Sequence, residues 1–197
     1  MSDCSGLSCL VNCSFEVSYY ANSNLSRSWI CRLAGTDNSN SVGFGFANIS
    51  VNPLLALEFP DFLDFGIVGP SEISGEVVGN VTNRGNVAID ISLMGYGAEV
   101  GDGYAMICDN GFNISVGNQK YNLTESNPGM ISLSVFESRY KNLSSSSVNE
   151  TGFNLDYFRD GFGGAQKPTY WRIFFPPGTE EGVTCSGNVV IGAIFNQ

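Results

Sequence analysis

The chain has 197 residues, 43% of them hydrophobic and 14% charged, with nine Lys and Arg against nineteen Asp and Glu for a net charge of -10. That length holds one large or two small domains, and the hydrophobic content is that of a folded protein rather than a disordered tail. The acidic balance repels phosphate backbones and anionic membranes, which argues against nucleic acid as a partner, and no apolar run is long enough to span a bilayer.

Taken in chain order, every odd position from Leu7 to Tyr19 is apolar or Cys: Leu7, Cys9, Val11, Cys13, Phe15, Val17 and Tyr19. Period-two alternation over this stretch predicts one long strand with one buried face. Trp29 to Leu33 reads as its hairpin partner, and Val42 to Val51 as a third strand in which Gly43 and Gly45 mark a bend or a close backbone approach. Asn52-Pro53 breaks this ladder, so residues 1–53 form a first unit and residues 54–197 a second. The second begins with Leu54–Phe59, and within it strands are predicted at Val77–Val81, Val87–Leu93, Ala105–Cys108, Ile131–Phe136, Tyr170–Phe175 and Val183–Phe195. The Ser- and Gly-rich segment 141–167 lacks strand alternation and reads as a long loop. Many short strands at this spacing predict an all-β sandwich, because two half-buried sheets hide their apolar faces against each other.

Six cysteines are present, Cys4, Cys9, Cys13, Cys31, Cys108 and Cys185, and an even count fits disulfides made in an oxidising compartment. Zinc is disfavoured, since the chain has no His and no second close cysteine pair beside Cys9 and Cys13. No metal or cofactor is expected apart from covalent N-glycans. Asn-X-Ser/Thr occurs at Asn12, Asn24, Asn48, Asn80, Asn113, Asn122, Asn142 and Asn149. Chance predicts roughly three such triplets at this composition, and the excess runs along the whole chain, as expected for a glycan-coated surface. Glycans with paired cysteines place the protein outside the cell, at its surface. Met1-Ser-Asp-Cys4 lacks the basic and apolar regions of a secretory signal, so that reading takes the numbering to begin at a mature segment.

Leu63-Asp-Phe-Gly66, Val68-Gly-Pro, Asn83-Arg-Gly-Asn86, Asn118-Gln-Lys-Tyr121, Tyr170-Trp-Arg-Ile-Phe-Phe-Pro-Pro-Gly-Thr179 and the stretch from Cys185 to Ala193 form an ordered series. It resembles the repeated immunoglobulin-like modules of large surface and S-layer-like glycoproteins of archaea and uncultivated bacteria, over about residues 54 to 197. Upstream, Cys13 to Tyr20 and Trp29 to Asp37 resemble the last strands of a preceding module of the same kind, whose earlier strands are missing. The resemblance implies immunoglobulin-like sandwich units, the first truncated, and an extracellular location; it implies no biochemical activity. In such modules an aromatic or Ser is commoner near Cys185, so a Cys108–Cys185 bridge would be particular to this chain, while Cys4, Cys9, Cys13 and Cys31 have no assigned pairing.

A truncated sandwich leaves an open strand edge and an uncovered apolar face, both of which invite association. Strand addition by a neighbour relieves this, with residues 7–19 as the donor and Leu7, Val11, Phe15, Val17 and Tyr19 as its anchors. The expectation is a structural subunit that polymerises head to tail with copies of itself into a pilus-like filament or surface layer, with an ordinary internal strand as the alternative for the donor segment. A surface adhesin or carbohydrate-binding module is the second reading, with Tyr96, Tyr104, Tyr157, Phe158 and Phe162 near loops; Asp156 and Asp160 could also offer oxygens to calcium, although the ordered ligand ladder is absent. An enzyme is not expected. The loop acids Asp102, Asp109, Asp156 and Asp160 have no constrained separation, and no His or Gly-x-Ser-x-Gly motif supports a hydrolase triad.

Overall fold

The structure, a computed structural model, describes residues 2–5, 8–11, 14, 16–18, 21–23, 29–158, 165–178 and 182–196. Strands β1 (Ser2–Ser5) and β2 (Ser8–Val11) form a hairpin with Cys4 opposite Cys9. Strands β3 (Trp29–Thr36) and β4 (Val42–Ile49) form a second, longer ribbon. Then follow β5 (Leu57–Glu58), β6 (Val77–Asn83), β7 (Ile89–Tyr96), β8 (Tyr104–Cys108), β9 (Asn113–Ser115) and β10 (Gln119–Asn122). A short helix α1 (Leu133–Arg139) precedes β11 (Lys141–Asn142), β12 (Val148–Leu155), β13 (Gln166–Ile173), β14 (Cys185–Ser186) and β15 (Asn188–Phe195).

The fold is all-β and antiparallel. A five-stranded sheet in the order β11-β10-β13-β6-β5 faces a three-stranded sheet, β12-β7-β15. Side-chain alternation explains the pairing: Ile89, Ile91 and Leu93 point from β7 into a core shared with Val81, Tyr121, Trp171, Phe153 and Leu155. Trp171 is its centre. The indole Nε1 donates to Thr169 Oγ1 at 2.7 Å, and that hydroxyl donates to the Gly79 carbonyl at 2.7 Å, so the one polar atom of the ring is satisfied. A third sheet, β14-β8-β9, closes one end over Ala105, Cys108, Ile114 and Ile173. Cys108 and Cys185 stand opposite each other in its register and form a disulfide across 77 residues. Closing a loop of that size in the unfolded chain stabilises the fold by ~2–4 kcal/mol.

The outer face of the five-stranded sheet holds two adjacent buried cations, Lys120 on β10 and its register partner Arg172 on β13. Arg172 donates to the carbonyls of Ser74 (2.6 Å), Asn127 (2.5 Å) and Gly129 (2.8 Å) and to Tyr140 Oη (3.1 Å), which ties the 123–132 connection to the sheet. Tyr140 in turn donates to Glu76 at 2.7 Å. Burial raises the Glu76 carboxyl, but hydrogen bonds from Ser126, Tyr140 and the Asn127 amide, with the Arg172 charge, outweigh it and hold the group below its ordinary value. Lys120 pairs with Glu137 and lies 4.9 Å from the Phe136 ring centroid, so α1 seals this patch.

Several elements differ from those expected. Residues 7–19 do not make one long strand: Ser8–Val11 turns back on Ser2–Ser5, and Ser14 and Glu16–Ser18 carry no strand. A local hairpin closes a much shorter loop than any distant partner would require. The partner of Trp29–Thr36 is therefore β4 rather than the N-terminal segment. Of Ile131–Phe136, expected as a strand, Leu133–Phe136 opens α1, where Ser132 caps the helix by accepting from the Val135 amide and Phe136 packs on Tyr140 one turn later. The expected loop 141–167 contains β11 and β12. In β12 the register shifts between Glu150 and Leu155, with Gly152 and Asn154 at positive φ, so the buried positions run Glu150, Phe153, Leu155 and the period of two is broken.

Candidate functional site: glycan-bearing faces and an open sheet edge

Among the sequon asparagines, Asn48, Asn80, Asn113, Asn142 and Asn149 are exposed. Asn80 and Asn142 project from the outer face of the five-stranded sheet, since Val81 and Tyr121 beside them in register point inward. Asn149 pairs with Ser92 on the outer face of the three-stranded sheet. Both broad faces of the sandwich thus carry acceptor positions. Asn122 is different: it is 8% exposed, its Nδ2 donates to the Arg139 carbonyl at 3.1 Å, and its Oδ1 accepts from the amides of Thr124 and Glu125. That side chain closes a turn and leaves a sugar no room in the folded protein. Asn12 and Asn24 lie outside the described residues.

Of the expected anchors, Leu7, Phe15 and Tyr19 lie outside the described residues, Val11 ends β2, and Val17 is exposed. Cys13 also lies outside them, and Cys31 is a half-buried residue of β3.

The residues that couple the N-terminal region to the sandwich belong to the Asn83-Arg-Gly-Asn86 turn. Asn86 Oδ1 accepts from the Leu54 amide at 2.7 Å, and its Nδ2 donates to the carbonyls of Ala21 (2.9 Å) and Asn52 (3.1 Å). Asn83 braces the same turn through the Gly85 amide and the Val87 carbonyl. A Cβ at Gly85 would sit 2.1 Å from the Leu54 carbonyl oxygen, so only glycine lets the linker approach.

Beyond this clamp stands the β3–β4 ribbon. Asp37 Oδ1 accepts from the amides of Ser39 and Ser41, and Asn40 adopts φ 62, which shapes the tight connection. All of its strand residues except Cys31 are exposed. Phe46 is 66% exposed, with Ile30, Val42 and Phe44 beside it on one face, where Arg32 stacks 4.4 Å from the Phe44 ring centroid. Gly35, Gly43 and Gly45 line the opposite face, and a Cβ on any of them would meet nothing within 4 Å.

At the sandwich edge, β15 pairs with β7 through all eight residues without a bulge, and no described strand pairs with its other side. Its sequence, Asn-Val-Val-Ile-Gly-Ala-Ile-Phe, has no charge and no proline. Val190 and Phe195 are exposed along it. A neighbouring cleft of about 300 Å³ lies between β15 and the 59–65 segment, with Phe62 78% exposed at its rim. None of the sequons falls on β15. Nothing in the period-two pattern singled out this edge; the absence of Lys, Glu and Pro from an eight-residue strand was the available signal.

Other candidates are internally satisfied. A second cleft of about 290 Å³ is lined by three cations, but Arg139 pairs with Glu125 (2.9 Å), Lys141 with Glu150 (2.5 Å) and Lys167 with the Phe153 carbonyl (2.5 Å). Asp102 accepts from four backbone amides. Burial raises its carboxyl, yet the bonds from Tyr104, Gly97, Glu99 and Ala98 outweigh this and hold it at about 2. Asp109 accepts weakly from the Thr184 amide, and Asp156 from that of Tyr157. Asp102 follows the end of β7 at Tyr96, whereas Asp156 follows Leu155, the partner of Ile89 at its start; the strand between spans about 23 Å. Tyr96 and Tyr104 are separated from Tyr157 and Phe158 in the same way, so these aromatics form no single platform. Asp160 and Phe162 lie outside the described residues. Among the described residues no cluster of three or more His, Cys, Asp or Glu could hold a metal, and no helix is long and apolar enough to cross a membrane.

Compared with known proteins, the chain matches no family model, no curated protein and no solved structure.

Proposed function

We propose that this chain is a non-catalytic structural module of an extracellular, N-glycosylated surface layer or filament, built of immunoglobulin-like units that join neighbouring copies by strand addition. The observation that carries the proposal is the β3–β4 ribbon, rich in apolar residues, exposed on both faces and, among the described residues, paired with no other strand. An exposed apolar ribbon is a liability unless something covers it. Five exposed sequon asparagines and a disulfide support the extracellular setting. With the alternating 7–19 segment folded back as a short hairpin where it is described, the ribbon takes over the role of donor.

Sedimentation and negative-stain imaging of the glycosylated full chain test this reading: concentration-dependent polymers are expected, and a monomer at every concentration overturns it. Glycopeptide mapping is expected to find sugars at Asn80, Asn113, Asn142 and Asn149 and none at Asn122. Phe62, exposed beside its cleft, favours a second reading as a carbohydrate-binding adhesin. Saturable binding on a glycan array, lost in Phe62→Ala, would select it.

A further inference from the structure

The assembly reading leaves open which surface receives the ribbon. We infer that it is the outer edge of β15, so that β4 of one copy pairs along β15 of the next. The inference rests on the assembly reading and adds a donor and an acceptor to it.

The two strands match. Both β4 and β15 have eight residues, pair with a described strand on one side only, and lack any charge, proline or bulge. Natural edges are normally blunted by one of those devices. In a chain of net charge -10, these are two stretches that can approach each other without like-charge repulsion.

The two layers are unequal. Five strands face three across the core, and a two-stranded ribbon added beside β15 makes the layers equal. Sugars leave the acceptor edge open: Asn80, Asn142 and Asn149 occupy the broad faces, which would hinder face-to-face stacking, β15 has no sequon, and the sequon Asn48 of β4 stands on the face of Phe44 and Phe46 rather than along the strand's hydrogen-bonding edge.

Glycines leave one face of the ribbon open. Gly35, Gly43 and Gly45 weaken a strand unless a neighbour approaches closely, and among the described residues nothing lies within 4 Å of where a Cβ would be. That face has room for a neighbouring copy to lie against it. The contact uses different surfaces on the two partners, so it leaves an unused donor and an unused acceptor at each end and propagates.

That asymmetry gives the test. Val190→Lys blocks the acceptor and Phe46→Lys blocks the donor; both side chains are exposed, so both variants are expected to keep the wild-type melting transition. Wild type is expected to polymerise, each variant alone to be monomeric, and an equimolar mixture of the two to stop at a dimer. A photoreactive p-benzoylphenylalanine at Phe46 should link to the 186–196 peptide of a differently isotope-labelled copy. If both variants polymerise like wild type, or the links map elsewhere or within one copy, the β4–β15 contact is overturned while the assembly reading stands. If wild type itself stays monomeric, both fall.

Discussion

The sandwich and the β3–β4 ribbon use the same vocabulary, alternating strands with apolar positions, and put it to opposite ends. In β7, every second residue disappears into a core built by the same chain, and Ile89, Ile91 and Leu93 are inaccessible to solvent. In β4, Phe44 and Phe46 alternate with glycines, yet both faces stay wet. Period two therefore reports that a strand has two unlike faces; it does not report whose surface covers the apolar one. Core partners of the right size, such as Trp171 against its cross-strand neighbour Tyr121 and against Phe59, are what make the first case self-sufficient.

Breaking that contrast should give a graded series. Trp171→Ala is expected to cost ~3–5 kcal/mol in urea unfolding, since it empties the centre of the core. Replacing Cys108 and Cys185 by serine should cost ~2–4 kcal/mol, and the wild type should show the same loss when reduced. Asn86→Ala leaves the Leu54 amide without its acceptor and should cost ~1–3 kcal/mol, with faster hydrogen exchange concentrated at Leu54. Asp102 sharpens the comparison through pH. Its folded value of about 2 lies below the ordinary 3.8, so its contribution is complete above pH 3.8 and disappears as pH falls through 2. Asp102→Asn should flatten that acid limb and speed exchange of the Gly97, Ala98, Glu99 and Tyr104 amides. Smallest of all, Phe46→Ser should change the stability of the sandwich by less than ~0.5 kcal/mol while weakening self-association.

The all-β class and the long central strands were legible because β6, β7 and the C-terminal strand have clean alternation and clear breakers. In β7 the alternating Ile89, Ile91 and Leu93 are the buried face. Strand β12 was illegible for a physical reason: its bulge moves the inward side chains from Glu150 to Phe153, so no single phase describes it. Helix α1 was misread because Ile131–Phe136 is apolar enough for either structure, and a cap from Ser132 with a stacked Phe136 and Tyr140 decided the matter. At the candidate site, five exposed sequons sit where a sugar could be attached, but the burial of Asn122 could not be read from a tripeptide. The Asn83-Arg-Gly-Asn86 turn was visible as a pattern; that its second asparagine would reach residues 21, 52 and 54 depended on tertiary contact.

The Cys108–Cys185 bond has a mechanical meaning. When tension is applied to flanking chain on both sides, load reaching Cys185 crosses the sulfurs directly to Cys108, and residues 109–184 form a slack loop outside the line of force. Peeling β15 can release only the short tail beyond Cys185 before that covalent stop engages. Most of the second half of the molecule, with the Trp171 girder inside it, is thereby insulated from stretching, as a rope's load is carried past a closed shackle.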